Sequence, residues 1–338
     1  MKILALFITV LALIVVSLGA YVRLSNAGLG CPDWPGCYGH ATVPEEHQIG
    51  SGQLPYTPQN SDRPLQAHKA WKEMIHRYLA GSLATLILLQ AILALIKKTN
   101  TRLLSLLLLG LVFFQAALGM WTVTLKLHPV VVMLHLLGGL ATLSISWLIY
   151  LKFNFNGVIA RSEATKQSRT WLQGVVLIGL TLLILQIILG GWVSSNYASL
   201  ACPDFPTCQG KWLPETDFHH GFSVFAEIGH DYEGGWLTNP ARISIHLAHR
   251  VGALINFLYS GILMLYFILL RQDFRKTSLA VLLLLFIQVG LGISNILLRL
   301  PLSIAVAHNT VAALLLLSYL FLWKKSSLRL TPVRQNLI

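Results

Sequence analysis

Charged residues are scarce in this sequence. Asp, Glu, Lys and Arg make up only 11% of its 338 residues, whereas 55% are hydrophobic. So much apolar surface cannot be hidden in one soluble core, which excludes an ordinary soluble domain. Runs of about 20 apolar residues are typical of membrane-spanning helices, because open strands would leave backbone groups unsatisfied in lipid. The composition therefore predicts an all-α polytopic membrane protein.

Cysteine is scarce as well. The chain has four, and all lie in two similar stretches, LGCPDWPGCYG at Leu29–Gly39 and LACPDFPTCQG at Leu200–Gly210, which we call the two cassettes. Five residues separate the two cysteines of each cassette (C-x5-C). This spacing differs from the C-x-x-C of thioredoxin-like centres. A thiol–disulfide or quinone-linked oxidoreductase that uses these cysteines is therefore a weak alternative.

Long apolar runs are what the sequence does have, and eight of them can cross a bilayer. They lie at Ile3–Tyr21, Ala70–Leu95, Leu103–Val123, Val130–Tyr150, Trp171–Val193, Ile243–Leu270, Leu279–Ile296 and Ser303–Trp323. The first run, with a lysine before it and small residues at its end, also resembles a cleavable signal peptide. The fifth run precedes the second cassette as the first run precedes the first, and an internal run cannot be a signal peptide. We therefore expect eight spanning helices.

Acidic residues are about half as frequent as basic ones. The sequence has 25 Lys and Arg but 13 Asp and Glu, a formal net charge of +12. The two ends of the chain and the connections after the second, fourth and sixth runs hold most of the basic residues but only two acids, Glu163 and Asp273. By the positive-inside rule this side, with both termini, is the cytoplasmic side of an inner (cytoplasmic) membrane. Topology and the anionic lipid bilayer explain the net charge without nucleic acid.

The same topology places both cassettes on the outer side of the membrane. Because that compartment is oxidising, we expect the disulfides Cys31–Cys37 and Cys202–Cys208, each across a short loop that contains proline. Stapling of a small loop is the ordinary role of such a bond.

The chain consists of two related halves. The alignment of the cassettes extends to polar and small residues of the spans, which pair His76 with His249, Gln115 with Gln288, Gly119 with Gly292 and His135 with His308. Four spans return the chain to the side on which it began, so the halves are parallel repeats related by an axis along the membrane normal. We expect two pseudo-symmetric four-helix bundles at residues 1–155 and 171–325, with a cytoplasmic linker at 156–170 and a cytoplasmic tail at 326–338.

Each half carries one intramembrane histidine on its second helix and one on its fourth. A single histidine at this depth is more often a hydrogen-bonding contact between helices than a ligand. Two pairs in register favour axial ligation of haem iron, and no Cys or carboxylate set at this depth completes a tetrahedral zinc site. Four basic residues near the outer surface are candidates for binding haem propionates: Arg77, Arg250, Lys126 and Arg299.

The halves differ at the residue one helical turn before the first histidine. Glu73 precedes His76 in WKEMIHR, whereas the aligned position in SIHLAHR is His246. A buried carboxylate beside a haem site is a candidate acid, base or stabiliser of positive charge. A structural ion pair with Arg77 or Lys72 is the alternative. The difference suggests that one site performs chemistry and the other serves it.

Five stretches together resemble one known family. These stretches are GAYVRLSNAGLGCPDWPGC, EMIHR, HLLGGLAT, LAHRVGAL and AHNTVAALLLL. Their combination is similar to the haem A synthase (CtaA/Cox15) family, and the resemblance covers about residues 1–325. It implies eight transmembrane helices in two pseudo-symmetric bundles. It also implies oxidation of the C8 methyl group of haem O to the formyl group of haem A, for haem–copper cytochrome oxidases.

The resemblance also assigns roles to individual residues. It makes His249 and His308 the ligands of a resident haem b, and His76 and His135 the site of the substrate haem O, with Glu73 as the catalytic carboxylate. The inserted oxygen derives from water in two-electron steps, so an electron acceptor such as a quinone is needed. Haem O synthase and cytochrome oxidase assembly factors are the implied partners. A redox or haem-transfer role of the first disulfide stays open beside the structural one.

Two other classes of protein share the paired histidines. One is a non-catalytic dihaem membrane protein that passes electrons, which predicts no role for Glu73 and two permanently bound haems of one type. The other is a haem carrier, which hands haem to an oxidase without changing it. Replacing Glu73 by glutamine separates these alternatives from the enzyme, since only the enzyme depends on the carboxylate for its product.

Overall fold

The computed structural model describes residues 1–45, 65–155, 166–225, 227–228 and 230–327. The eight long helices are α1 (Lys2–Leu24), α2 (Ala67–Ile96), α3 (Arg102–Thr124), α4 (Pro129–Phe155), α5 (Lys166–Ser195), α6 (Asn239–Leu270), α7 (Arg275–Leu297) and α8 (Leu302–Ser327). A one-turn helix, Phe218–Gly221, lies between α5 and α6. Within the described ranges there is no extended strand, only two isolated bridges in the cassettes.

All eight long helices are long and apolar enough to span a membrane. In each, at most 33% of the most apolar stretch is buried inside the protein. Large aliphatic and aromatic side chains therefore cover much of the outer surface, as expected for helices that face hydrocarbon. The prediction of an all-α membrane protein with eight spans is confirmed.

The helix boundaries differ little from the predicted ones. Most helices extend a few residues beyond the apolar run, because polar residues at the membrane surface continue the same backbone hydrogen bonds. The largest extension is at α5, which begins at Lys166 rather than Trp171 and so takes up part of the predicted linker. The remainder of that linker, at 156–165, and the tail beyond Ser327 lie outside the described residues.

The turns between helices repeat in the two halves. The α3–α4 turn has two residues with positive φ, Lys126 (47°) and Leu127 (60°), and the α7–α8 turn has Arg299 (56°) and Leu300 (62°). In both turns a backbone N–H three residues past the end of the helix bonds back to a carbonyl near that end, at 2.8 Å and 2.7 Å, which satisfies a terminal carbonyl group. Because both turns end the preceding helix with the same backbone geometry, they support the internal repeat.

The eight helices form two four-membered rings that contact each other. In the first half α1, α2, α3 and α4 each pack against their neighbours around a ring, and α5, α6, α7 and α8 do the same in the second. The halves meet through α1 with α8, α4 with α5, and α4 with α8. Since α1 corresponds to α5 and α4 to α8, this set of contacts is unchanged when the halves are exchanged. The pattern is consistent with two pseudo-symmetric bundles.

The cassettes have the same conformation. Each contains a disulfide, Cys31–Cys37 with an S–S distance of 2.01 Å and Cys202–Cys208 with 1.96 Å, and each has a cis aromatic–proline peptide bond. The carboxylate of the cassette aspartate accepts backbone N–H groups at the far end of the loop, from Tyr38 and Gly39 in the first cassette. Each cassette thus forms a compact cap over one end of its four-helix bundle.

Candidate functional site

A cavity of about 1100 Å³ lies inside the first ring of helices. Side chains from α1, α2, α3 and α4 form its wall, the first cassette forms its outer end, and Gly191, Ser194 and Asn309 reach it from the second half. Its volume is at the upper limit of ordinary small-molecule sites, which favours a large ligand. Glu73, His76 and His135, which sequence reasoning selected, all line this cavity.

His76 and His135 reach the cavity from α2 and α4. Each ring packs against a glycine of the adjacent helix, and a β-carbon there would lie 3.1 Å from His76 Cε1 at Gly19 and 3.4 Å from His135 Cε1 at Gly119. The two imidazoles are close enough to interact electrostatically. Among the described residues, the buried Nδ1 of neither ring has a hydrogen-bond partner. The structure therefore brings together two imidazoles that protein contacts do not saturate.

Glu73 lies beneath the first cassette. Its side chain is 5% exposed, Oε2 accepts the backbone N–H of Cys31 at 2.9 Å, and Oε1 forms an ion pair with Arg77 one turn later on α2. Lys72, the other basic residue considered, instead points over the ring of Tyr21, 5.2 Å from its centroid. The carboxylate is thus both a wall of the cavity and an anchor of the cassette.

Arg77 and Arg250 bind their cassettes. Arg77 Nη1 donates to the carbonyl oxygens of Asp33 at 2.8 Å and Gly36 at 2.5 Å. Arg250 donates through Nη1 to Thr207 at 2.8 Å and through Nη2 to Asp204 at 2.7 Å. A guanidinium group has five N–H donors, so these contacts occupy a large part of each group. Sequence reasoning selected both residues for their charge and missed that each one fastens its loop to the helix.

Lys126 and Arg299 occupy equivalent positions in the α3–α4 and α7–α8 turns. The backbone carbonyl of Lys126 accepts the N–H of Tyr232 at 3.1 Å, so the outer loop of the second half contacts the first. Of the described residues in this turn, Leu127 lines the cavity and Lys126 does not.

The second half holds its own histidine pair, His249 on α6 and His308 on α8. Their rings pack against Gly190 and Gly292, where a β-carbon would lie 3.1 Å from each Cε1. The arrangement of rings and glycines is therefore the same as in the first half.

Two glutamines contact the second pair, of which only Gln186 has no counterpart in the first half, and sequence reasoning gave them no role. The Gln186 amide lies 3.0 Å from His249 Nδ1, and the Gln288 amide lies 3.2 Å from His308 Nε2. The residue aligned with Gln186 is Val15, which has no polar group. Glutamine inside an apolar helix was the available signal, because an amide in hydrocarbon needs a partner.

His246 takes the place of Glu73 in the second half. It is 4% exposed, and its Nδ1 lies 3.1 Å from the carbonyl oxygen of Ala198. Glu73 instead contacts the cysteine of the cassette and the arginine one turn later. The two positions have in common a contact with the segment that follows the preceding helix, but only the first carries an acid.

Arg23 also lines the cavity, and sequence reasoning missed it. It lines the cavity from the end of α1, donates through Nη2 to the carbonyl of Ser194 at 2.7 Å, and lies over the ring of Tyr197, 4.1 Å from its centroid. Its buried Nε has no hydrogen-bond partner among the described residues. A cation thus sits at the boundary between the two halves, at the outer end of the cavity.

Asp204 accepts hydrogen bonds from its own cassette. The Thr207 hydroxyl and the N–H groups of Gly210 and Gln209 donate to its carboxylate, at 2.5 Å, 3.0 Å and 2.5 Å. These donors, the hydroxyl first, lower the pKa of Asp204 below its ordinary value. The charged form of this carboxylate therefore holds the second cassette in shape.

Comparison with known proteins places these features in one family. The model of the COX15-CtaA family, described as cytochrome oxidase assembly protein, matches residues 2–320. A protein of Shewanella oneidensis named heme A synthase is 46% identical over 94% of this chain and 95% of its own length. Proteins of the same name are 26% identical in Caulobacter vibrioides, over 93% of this chain and 92% of theirs, and 23% identical in Halalkalibacterium halodurans, over 89% of both.

Proposed function

Because this chain belongs to the COX15-CtaA family of cytochrome oxidase assembly proteins, we propose that it acts as a haem A synthase, the name its relatives carry. In this proposal the enzyme oxidises the C8 methyl group of haem O to a formyl group. The observation that carries the proposal is the cavity of the first half, where His76, His135 and Glu73 project from the helices into a mainly apolar wall.

The first half is the site of the substrate haem O. Its cavity is large enough for a large ligand, and the unpaired nitrogens of His76 and His135 suit the two axial positions of the haem iron. Gly19 and Gly119 support this fit, because a larger residue at either place would push the imidazole aside. The histidines hold and orient the substrate, so that one edge of the porphyrin is presented to Glu73.

The second half is the site of a resident haem b held by His249 and His308. The same ring-on-glycine arrangement supports the fit, and His308 Nδ1 is buried with no hydrogen-bond partner among the described residues. The amide of Gln186 fixes the ring of His249 from behind, as residues around a metal ligand commonly do. When bound there, haem b supplies a one-electron acceptor close to the substrate site.

The proposed reaction is an oxidation with water as the oxygen source. Conversion of a methyl group and one water molecule into a formyl group releases four electrons and four protons, in two successive two-electron steps. The electrons need an acceptor outside the substrate, for which a membrane quinone is the chemical class that fits an integral membrane enzyme. This makes the enzyme an oxidoreductase.

Glu73 is the proposed catalytic residue. Of the helix residues that line the cavity in the described part of the chain, it is the only acidic one. A carboxylate in this position can stabilise positive charge that develops on the oxidised carbon, and can accept a proton released there. Its hydrogen bond from the Cys31 N–H fixes its direction relative to the cavity.

The propionates of the substrate belong at the outer end of the cavity. Arg77 lines this end, and Arg23 adds a second cation with a free Nε. Lys126 contributes charge at the surface of the same half, and Arg250 and Arg299 take the corresponding roles in the second half. Charge-assisted hydrogen bonds of this kind orient a carboxylate as well as bind it.

The proposed location is an inner membrane with both termini in the cytoplasm and both cassettes on the outer side. The charge distribution supports this orientation, because basic residues of the tail and the α6–α7 connection lie opposite the cassettes. Haem O synthase, cytochrome oxidase assembly factors and a quinone are the proposed partners. Both disulfides are proposed to be structural, since all four cysteines are buried in their caps.

Haem extraction with mass spectrometry tests the function. The protein is expressed with and without co-expressed haem O synthase, and the extracted pigments are identified by mass. We expect haem A, or its hydroxylated precursor, only when haem O is supplied. Haem B alone under both conditions, at two per chain, would identify a dihaem electron-transfer protein instead. Haem O recovered unchanged would identify a carrier.

A further inference from the structure

The seam between α2 and α3 differs from its counterpart between α6 and α7. In the second half, Phe257 of α6 and Phe286 of α7 form an edge-on aromatic pair with ring centroids 5.5 Å apart. The aligned residues of the first half are Ala84 and Phe113, so the pair is absent there. One of the two rings that close this seam in the second half is reduced to a methyl group in the first.

Other positions along the seam also carry smaller side chains in the first half than in the second. The second half has Leu254 and Ile255 on α6, whereas the first half has Gly81 and Ser82 at the aligned positions of α2. A β-carbon added at Gly81 would meet no described atom within 4 Å. The side chains on the outward side of α2 are therefore smaller than their counterparts on α6. At Gly81 no neighbouring residue of the described structure fills the space.

The small residues of this seam belong to the wall of the cavity. Gly81, Ser82 and Ala84 of α2 and Ala116 of α3 line it, and Gly81, Ser82 and Ala116 are also exposed at the surface of the protein. A residue that is on both the cavity wall and the outer surface marks an opening. The cavity thus reaches the outside between α2 and α3 as well as beneath the cassette.

The opening lies at the level of the bilayer centre. Gly81 is midway along the 30 residues of α2, so about 20 Å of helix extends to either side of it. His76 lies five residues nearer the cassette, which is about 7.5 Å along the helix axis. A porphyrin held at His76 therefore has the opening on its inner side, facing hydrocarbon.

The polar groups at the opening suit an apolar occupant. The hydroxyl of Ser82 donates to the carbonyl of Tyr78 at 2.9 Å, and that of Thr85 donates to Gly81 at 3.0 Å, so neither needs a partner in the opening. Gln115 is different: it is 9% exposed, lines the cavity, and its buried Nε2 has no hydrogen-bond partner in the described structure. Its amide nitrogen lies against Gly138 of α4 rather than at the α2–α3 opening, so the rim of the opening is apolar to an occupant.

We propose that the α2–α3 seam is a lateral portal that admits the isoprenoid tail of the tetrapyrrole substrate and holds it towards the lipid. This inference rests on the proposed function, because it assumes that the first half binds a haem with such a tail. An apolar tail gains nothing from the aqueous end of the cavity and is stabilised in hydrocarbon. The closed seam of the second half then suits a haem without a tail.

Binding of haem with and without a tail tests the portal. Purified full-length protein is titrated with haem O and, separately, with haem B, and binding is followed by the absorption change of the added haem. Gly81→Leu introduces the residue of the second half, and Ala84→Phe restores the aromatic partner of Phe113. We expect each to weaken haem O binding by about tenfold or more and to change haem B binding by less than about twofold.

Gly261→Leu on α6 is the matched control, because a β-carbon there also meets no described atom within 4 Å and the residue does not line the cavity. It should bind both haems as the wild type does. Equal weakening of both haems by Gly81→Leu and Ala84→Phe, or an effect on neither, would overturn the portal and leave the opening to bilayer lipid. Wild-type protein that binds haem B but not haem O would overturn the proposed function together with the portal.

Discussion

Glu73 and His246 occupy the same place in the two halves and do different things. Glu73 joins α2 to the first cassette through its ion pair with Arg77 and its hydrogen bond from Cys31. His246 instead forms a hydrogen bond with a backbone carbonyl, that of Ala198. The structure therefore supports both interpretations of Glu73 offered by the sequence, the catalytic carboxylate and the partner of Arg77, and an experiment has to separate them.

Glu73→Gln should lower the rate of haem A formation by about 100-fold or more, since general acid–base or charge-stabilising carboxylates contribute on that scale. Haem content should stay close to that of the wild type, because none of the four proposed ligands changes. The product is measured by mass spectrometry and haem content by absorption.

Arg77→Gln is the control for the ion pair. It removes the same contact while keeping the carboxylate, and it also weakens the attachment of the cassette. Because Arg77 is also a proposed propionate-binding residue, activity is compared per bound substrate haem. If the two variants lose this activity to the same extent, Glu73 acts only through its ion pair and the catalytic assignment is wrong. A much larger loss in Glu73→Gln is expected.

Asp204 makes the second cassette sensitive to acid. Because hydrogen bonds from Thr207, Gly210 and Gln209 lower its pKa in the folded loop, its contribution is fully present above the ordinary value of 3.8. That contribution is lost as the pH falls through the lower folded pKa. Protection of the Gln209 and Gly210 amides from hydrogen exchange, corrected for intrinsic rates, should therefore fall only as the pH drops below 3.8.

Asp204→Asn removes the titrating group at the same position. The variant should show weaker protection of these amides than the wild type at neutral pH, and no step in acid. Protection that falls in the same way in both proteins would mean that another group controls the loop.

At the scale of helices, a glycine on one element sets the position of a histidine on the next. Gly190 of α5 faces His249 of α6, and a β-carbon there would lie 3.1 Å from the ring, which is closer than normal contact allows. Gly190→Ala should displace the imidazole and reduce retention of the proposed resident haem b about fivefold or more, because overpacking costs about 1–3 kcal/mol. The bis-histidine absorption bands of the purified protein report this loss.

Gly174→Ala on the same helix is the matched control, since a β-carbon at Gly174 would meet no described atom within 4 Å. It should retain haem as the wild type does, with a small gain in helix propensity. Loss of haem in both variants would mean that α5 tolerates no added methyl group anywhere. Normal haem content in Gly190→Ala would show that the ring of His249 can move without losing its ligand position.

More of the helices than of the candidate site could be predicted from the sequence. Apolar runs fix the spanning helices, since only a helix satisfies its own backbone in lipid, and the register of the repeat selects the histidine pairs. The partners of Arg77 and Arg250 could not be predicted, because they are carbonyl groups exposed by the conformation of the cassettes. The α2–α3 opening was missed for a related reason: it depends on which residues face each other across two helices.

At the scale of the whole molecule, the two halves are joined mainly by packing. A buried cluster of apolar side chains contains residues of both halves. Among the described residues, a backbone hydrogen bond from Tyr232 to Lys126 joins the outer loops. Three side-chain hydrogen bonds also cross the boundary, from Trp147 Nε1 to the carbonyl of Leu317 at 3.0 Å, from Thr310 to Ser17 at 2.9 Å, and from Arg23 to the carbonyl of Ser194 at 2.7 Å. At about 0.6 kcal/mol for a hydrogen bond in a membrane, these three contribute only about 2 kcal/mol.

Cleavage between the halves should therefore leave one particle. A protease site inserted between residues 156 and 165 separates the chain into two four-helix fragments, which we expect to elute together in size-exclusion chromatography in mild detergent. Trp147→Phe should leave this association intact, because it removes one hydrogen bond and keeps an aromatic ring at the boundary.

Gly191→Leu should break the association of the cleaved fragments. Gly191 of α5 faces α4, where a β-carbon would lie 3.1 Å from Leu136 Cδ2 and 3.6 Å from Met133 Cγ, so a larger side chain forces the two helices apart. Close approach through small residues is how helices associate where the hydrophobic effect gives no driving force between them. If Trp147→Phe separated the fragments and Gly191→Leu did not, directional hydrogen bonds rather than close packing would hold the halves together.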